Sequence, residues 1–147
     1  MSTNRRTLFS GVLLFAPGLA SGVPMRALDL YDEPQAIILR LLEAYAAGKP
    51  PSPARLPFVH RLRTALARTD LAVDPVTGSA EDAIHDIRVG PTRLSESRRG
   101  SVEARFTQAG KERKLSFDLD MTSGEWLITD IRYDSASSLR RLLQITP

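Results

Sequence analysis

The sequence predicts an α+β domain, with two N-terminal helices packed on one face of an antiparallel sheet of about four strands and a short C-terminal helix. Three features of the chain predict it. Apolar residues recur at helical spacing in two runs between positions 32 and 70. From position 84 the period falls to two. Glycine-bearing turns then separate strand-length segments, and helices followed by hairpin-linked strands argue for segregated α and β layers.

The chain has 147 residues, which suits one domain. Residues 1–22 read as a signal peptide. Arg5 and Arg6 supply a positive start, "TLFSGVLLFAPGLA" is a short apolar stretch, and small residues follow where a signal peptidase would cut after about Ala20. The apolar stretch is shorter than the roughly 20 residues of a membrane-spanning helix. Paired arginines before such a stretch suit a twin-arginine export signal, with the ordinary secretory route as the alternative. The expected location is periplasmic or secreted. Residues 23–31 read as an extended lead-in, and 32–147 as a single domain.

The chain carries 20 Lys and Arg against 17 Asp and Glu, formally +3. Two of the arginines and none of the acids lie in the first twenty residues, so the exported form is close to +1. That balance gives no electrostatic case for nucleic acid. There is no cysteine, so an exported domain would rest on its core rather than on disulfides.

The segment "DEPQAIILRLLEAYAAGK" predicts the first helix, with Asp32 as cap, Pro34 in the first turn and Gly48 as the stop. Its apolar residues at 37, 38, 41, 42, 44 and 45 leave only a narrow wet side around Arg40, Glu43 and Ala47. The prolines of "KPPSP" form a stiff linker. "RLPFVHRLRTALARTD" predicts the second helix, with Phe58, Leu62, Ala65 and Leu66 on one face. "LAVDPVTGSAED" predicts a loop.

Strands follow. In "AIHDIRVG", His85, Ile87 and Val89 alternate with Asp86 and Arg88, and the first set is expected to face inward. "RLSESRRG" is polar and reads as a loop. A two-residue turn at Gly110-Lys111 would set Phe106 opposite Leu115, Ala104 opposite Phe117 and Val102 opposite Leu119. A second hairpin would set Met121 opposite Trp126 and Leu119 opposite Ile128. The alternation then slips, and a β-bulge at Thr129-Asp130 would keep Trp126, Ile128, Ile131 and Tyr133 on one face. "SSLRRLLQI" predicts the last helix, with Leu139, Leu142 and Leu143 as its apolar side.

Several of these residues together resemble a bacterial exported family, domain of unknown function 3828. The likeness runs through "DPVTGSAED", "GKERKLSFDL" and "GEWLITDIRYDSASSLRRLL", at Asp74, Pro75, Asp82, Trp126, Ile128, Asp130, Ile131, Ser138, Leu139, Arg140 and Leu143. It covers roughly residues 32–145. The resemblance implies a cone similar to nuclear transport factor 2-like proteins, in which a curved sheet wraps around helices and leaves a pocket at its open end. It implies no activity.

The candidate pocket-lining residues are Tyr45, His85, Phe117, Trp126, Asp130 and Tyr133. His85 is a candidate acid-base group near neutral pH, with a buried structural histidine as the simpler alternative. Asp130, at the expected bulge, is either re-aimed into the pocket or a structural cap. Tyr45 and Tyr133 are either pocket-mouth hydroxyls or core residues with a wet tip. Asp118 and Asp120 share one face of a strand, with Glu103 expected across from Asp118. They are either ligands for a hard cation or a solvated face neutralised by Arg105 and Lys114. Two histidines and no cysteine give poor support to a transition-metal site, and no nucleophile elbow or phosphate-cradling glycine loop occurs. No cofactor is expected. The expected function is a non-catalytic domain of the cell envelope that binds a small apolar ligand or an envelope protein in a pocket between helices and sheet. The alternative is a pocket enzyme, of isomerase or hydrolase type, using His85 or Asp130 with a tyrosine. A homodimer through the sheet is a further expectation.

Overall fold

The computed structural model describes residues 33–80, 83–96 and 98–146. The expected leader and lead-in, the Asp32 cap and Asp82 lie outside them. The described residues form an α+β fold with one five-stranded antiparallel sheet and three α-helices.

Helix α1 spans Glu33–Ala46 and buries Pro34, Ile38, Leu41, Leu42 and Tyr45. That is one stripe at helical spacing, with Arg40 and Glu43 left exposed. The stripe packs against strands β1 (Ile84–Val89) and β3 (Arg99–Gln108). The helix ends where Gly48 takes φ 73°. Its N–H and that of Lys49 return to the carbonyls of Tyr45 and Ala44, which satisfies carbonyls that the helix end would otherwise orphan.

The second helix is shorter than expected. A 3₁₀ turn covers Pro53–Arg55, and α2 begins only at His60 and ends at Arg68. Pro57 has no N–H to give and biases Leu56 toward an extended backbone. Phe58 is therefore not on the helix face. It lies before the helix as a parallel bridge to Ile128 and is fully buried. Of α2 itself only Leu62 is buried, so this helix does not roof the sheet as α1 does.

Strands β2 (Arg93–Glu96), β4 (Lys111–Thr122) and β5 (Glu125–Arg132) complete the sheet. Its order is β1-β3-β4-β5, with β2 also paired to β3. The segment expected as a loop at 93–96 is thus a strand, although all four of its residues are exposed. It shows no burial alternation because its role is backbone pairing at an edge.

The first hairpin turns at Ala109-Gly110, one residue earlier than expected. Phe106 lies opposite Arg113, Ala104 opposite Leu115 and Val102 opposite Phe117. The shift amounts to two residues in register, so parity is kept and the same side chains face inward. The turn places both Ala109 and Gly110 at positive φ, 52° and 75°, as a type I′ hairpin turn requires. In this register Ser101, not Glu103, lies opposite Asp118.

The second hairpin pairs Met121 with Trp126 and Leu119 with Ile128, and the register then breaks between Leu119 and Asp118. Thr129 is the extra residue of that bulge, and Ile128, Ile131 and Tyr133 are buried on one side. A second bulge lies in β1, where Asp86 and Ile87 stand opposite the single residue Phe106 and Asp86 takes φ 56°. That bulge reverses the parity of β1. Ile84 turns inward, and His85 turns outward beside Thr107, exposed. The expectation that His85 shares a face with Ile87 and Val89 fails for this reason.

Inside, Val102, Ala104, Phe106, Leu115, Phe117, Leu119, Ile128 and Ile131 join the α1 stripe in one apolar core. Helix α3 (Leu139–Leu142) packs against β5 and is capped by Ser138, whose Oγ accepts from the Arg141 N–H. Leu139 and Leu143 are buried, whereas Leu142 is exposed, because a four-residue helix has room for only one inward side.

The loop after α2 also enters the core, with Val76 and Thr77 fully buried. Gly78 in this loop takes φ 68°, and a Cβ there would lie 2.6 Å from Cδ1 of Tyr133. Gly48 has a similar φ but open space around it. Gly48→Ala should therefore cost only the left-handed strain, about 1–2 kcal/mol. Gly78→Ala should cost about 1–3 kcal/mol more for overpacking. Urea unfolding of the two variants checks the difference.

Candidate functional site

Tyr45 and Tyr133 meet at one loop, where both serve the fold. The Asp74 carboxylate accepts from the Tyr45 hydroxyl at 2.9 Å and from the N–H groups of Val76 and Thr77 at 2.7 and 3.0 Å. The Tyr133 hydroxyl donates to the Pro75 carbonyl. Burial first, then the negative charges of Asp74 and Asp130, push the Tyr133 phenol well above its ordinary value, with Arg113 pulling the other way. It therefore stays a neutral donor. Arg113 donates to the Thr77 carbonyl at 2.8 Å and to Gln108 Oε1 at 2.7 Å, with its guanidinium 6.0 Å from the Phe106 ring centre.

The six candidate residues do not share one cavity. Phe117 is fully buried in the core. Trp126 lines a small notch of about 240 Å³ with Glu33, Pro34, Thr92 and Leu94. Asp130 Oδ1 accepts from the N–H groups of Ile131 and Arg140 at 2.9 and 3.0 Å, which ties the start of α3 to the bulge. His85 lies on the solvent side, 3.0 Å from its neighbour Asp86. Three strand spacings separate β1 from β5, roughly 14 Å, so His85 and Asp130 do not converge.

Another cavity lies elsewhere. It is a groove of about 670 Å³ across the sheet's polar face, lined by Arg99 and Ser101 of β3, Asp118 and Asp120 of β4, and Thr129 and Arg132 of β5. Arg61 from α2, Arg140 from α3 and Ser95 of β2 also line it, together with the apolar side chains of Val59, Leu62, Leu119 and Ile145. Its volume falls within the range of small-molecule sites. Four guanidinium groups face two carboxylates, so the groove is net positive.

The cations are not equally committed. Arg132 Nη2 donates to Asp118 Oδ1 at 2.8 Å and to Ser116 Oγ at 3.0 Å. Arg61 and Arg140 each donate to the Thr146 carbonyl, at 2.7 and 2.8 Å. Arg99 stands 3.9 Å from Glu96 and from Asp120, too far for hydrogen bonds. It is the guanidinium most available to a ligand. Neighbouring Glu103 is matched by Arg105 and Lys114 at 3.6 and 3.4 Å. Among the described residues no group of three or more His, Cys, Asp or Glu is arranged to hold a metal ion.

Sequence reasoning overlooked this groove. Arg99 reads as part of a polar loop and Arg140 as the wet side of a helix, and only the register of β3 against β4 brings Arg99 to Asp120. The doublet of aspartates at i and i+2 was a usable signal, since alternate strand positions share a face.

Burial raises the Asp118 carboxyl above its ordinary value; Arg132 lowers it by charge and hydrogen bond, and Asp130 and Asp120 raise it further. Arg132→Gln removes the lowering contributions, so Asp118 should titrate at higher pH in the variant. A raised folded-state value means that the native state holds the proton more tightly than the unfolded chain, so stability falls as pH rises through that interval. The variant should match its parent most closely at acid pH and lose ground as Asp118 ionises. Carboxyl NMR titration and urea melts across that range check both. Separately, Tyr45→Phe should cost about 1.5–3 kcal/mol, the value of a hydrogen bond to a charged group, read by the same melts.

Compared with models of known families, with characterised proteins and with solved structures, the chain has no match.

Proposed function

We propose that this chain is a non-catalytic binding domain of the bacterial cell envelope, exported by the leader at 1–22, and that the groove across β3, β4 and β5 takes a small anionic ligand. The groove carries the proposal: four arginines, three hydroxyl side chains and two aspartates line about 670 Å³, and Arg99 has only long ion pairs there. Arginine binds carboxylate and phosphate through two parallel N–H donors.

The ligand expected from sequence was apolar and sat between helices and sheet. The cavity richest in ionic side chains lies on the polar face instead, and its four arginines favour a charged ligand. The resemblance to the domain of unknown function 3828 family, and with it the cone fold similar to nuclear transport factor 2-like proteins, belongs to the same proposal. An antiparallel sheet with a long helix against one face is compatible with such a cone. No helix among the described residues is long and apolar enough to cross a membrane.

A thermal-shift screen tests the binding reading. Citrate, succinate and inorganic phosphate should raise the melting temperature, and uncharged glucose should not. A ligand at about 100 times its Kd adds about 2.7 kcal/mol of stability. Arg99→Gln should abolish most of the shift while leaving the unliganded melt nearly unchanged, and His85→Ala should leave both unchanged. The absence of any anion-dependent shift would remove the proposal. Export is tested apart from it: replacing Arg5 and Arg6 by lysine should block N-terminal processing and periplasmic recovery if the twin-arginine route is used.

A further inference from the structure

We propose that the cleft between α2 and the segment after α3 binds a single medium-chain alkyl carboxylate, lying lengthwise with its head group on Arg68. The cleft has a volume of about 500 Å³ and is lined by His60, Arg61, Thr64, Ala65, Arg68 and Thr69 on one wall and by Leu143 and Ile145 on the other. On α2 the residues from His60 to Arg68 are steps of one helical stripe, about 12 Å long, the reach of an extended alkyl chain of medium length. Ala65, Leu143 and Ile145 give it an apolar floor, and the short side chain at 65 leaves room above the helix.

Charge selects the head group. No Asp or Glu occurs across residues 44–69 or 135–147, whereas Lys49, Arg55, Arg61, Arg63, Arg68, Arg140 and Arg141 fall within them. The near-zero net charge of the exported form thus hides a segregated surface, and no Asp or Glu lines this cleft. Arg61 is committed to the Thr146 carbonyl. Arg68 is exposed, and its side chain makes no hydrogen bond or ion pair among the described residues. Its full charge outweighs the partial negative charge of the helix end beside it, which is screened within a turn. An apolar trough with one unengaged guanidinium at its end fits an anion carried on an aliphatic chain. A short anion would leave the floor wet, and a neutral chain would leave Arg68 unmatched.

Calorimetric titration of the full-length protein with octanoate, decanoate and dodecanoate below micelle formation is the test. Affinity should rise roughly two- to fourfold per added methylene, as expected for partly to fully buried CH₂ groups. Dodecyl maltoside, which is uncharged, should bind markedly more weakly. Arg68→Gln should weaken dodecanoate binding roughly two- to fivefold, the range of an exposed ion pair. Ala65→Phe should fill the trough and abolish binding, with Thr69→Phe as the substitute if that variant does not fold. Arg99→Gln should leave dodecanoate binding unchanged, so this proposal and the polar-groove reading fail separately. Absence of dodecanoate binding, a chain-length-independent affinity, or insensitivity to the trough-filling variant would each overturn the proposal. So would binding to anionic phospholipid vesicles without binding of monomeric dodecanoate, which would make this face a membrane dock instead.

Discussion

The Asp74 carboxylate holds three parts of the chain in place. It takes one donor from α1 through Tyr45 and two from the backbone of its own loop. Once the loop is folded around it, its outer carbonyls become acceptors for distant side chains: Pro75 for Tyr133 beyond β5, and Thr77 for Arg113 of β4. A loop that would otherwise bury unsatisfied backbone groups becomes a hydrogen-bonded plug between helix and sheet. The plug explains why Gly78 must be glycine, since the Tyr133 ring occupies the space a side chain would need. It also accounts for both tyrosines without any ligand.

The interior is therefore committed to packing, and the chemistry left over lies on the surface. The polar face of the sheet pairs most of its charges internally, as Arg132 does with Asp118 and as Lys114 and Arg105 do with Glu103. The remaining excess of positive charge gathers where α2, α3 and the ends of β3 and β4 come together. That excess comes from segregation, not from composition.

Most of the core was legible in the sequence. The α1 stripe, the inward residues of β3 and β4, and the Thr129 bulge all follow from periodicity, because a two-residue period leaves few ways to bury every apolar side chain. The hairpin register was readable only to within two residues, since shifts of two keep parity and bury the same set. The β1 bulge at Asp86 was not legible. A single residue in a left-handed conformation reversed which side of the strand His85 occupies, and nothing in "AIHDIRVG" marks it. Strand β2 was hidden for a different reason, since it pairs through its backbone and buries no side chain. The candidate site was legible only as a pair of aspartates. Its arginines come from four separate elements, and their convergence depends on register and on the placement of α3.

The split of one side of β3 between β1 and β2 has a further consequence. That margin of the sheet is broken into a six-residue strand distorted by a bulge and a four-residue strand bearing Arg93 and Glu96. On the opposite margin, β5 is already met by Phe58 and Ser138 through isolated bridges. Among the described residues neither border offers the long, straight, unpaired backbone that templates runaway stacking between molecules. Short, bulged or bridged borders of this kind are poor templates for strand addition by another molecule.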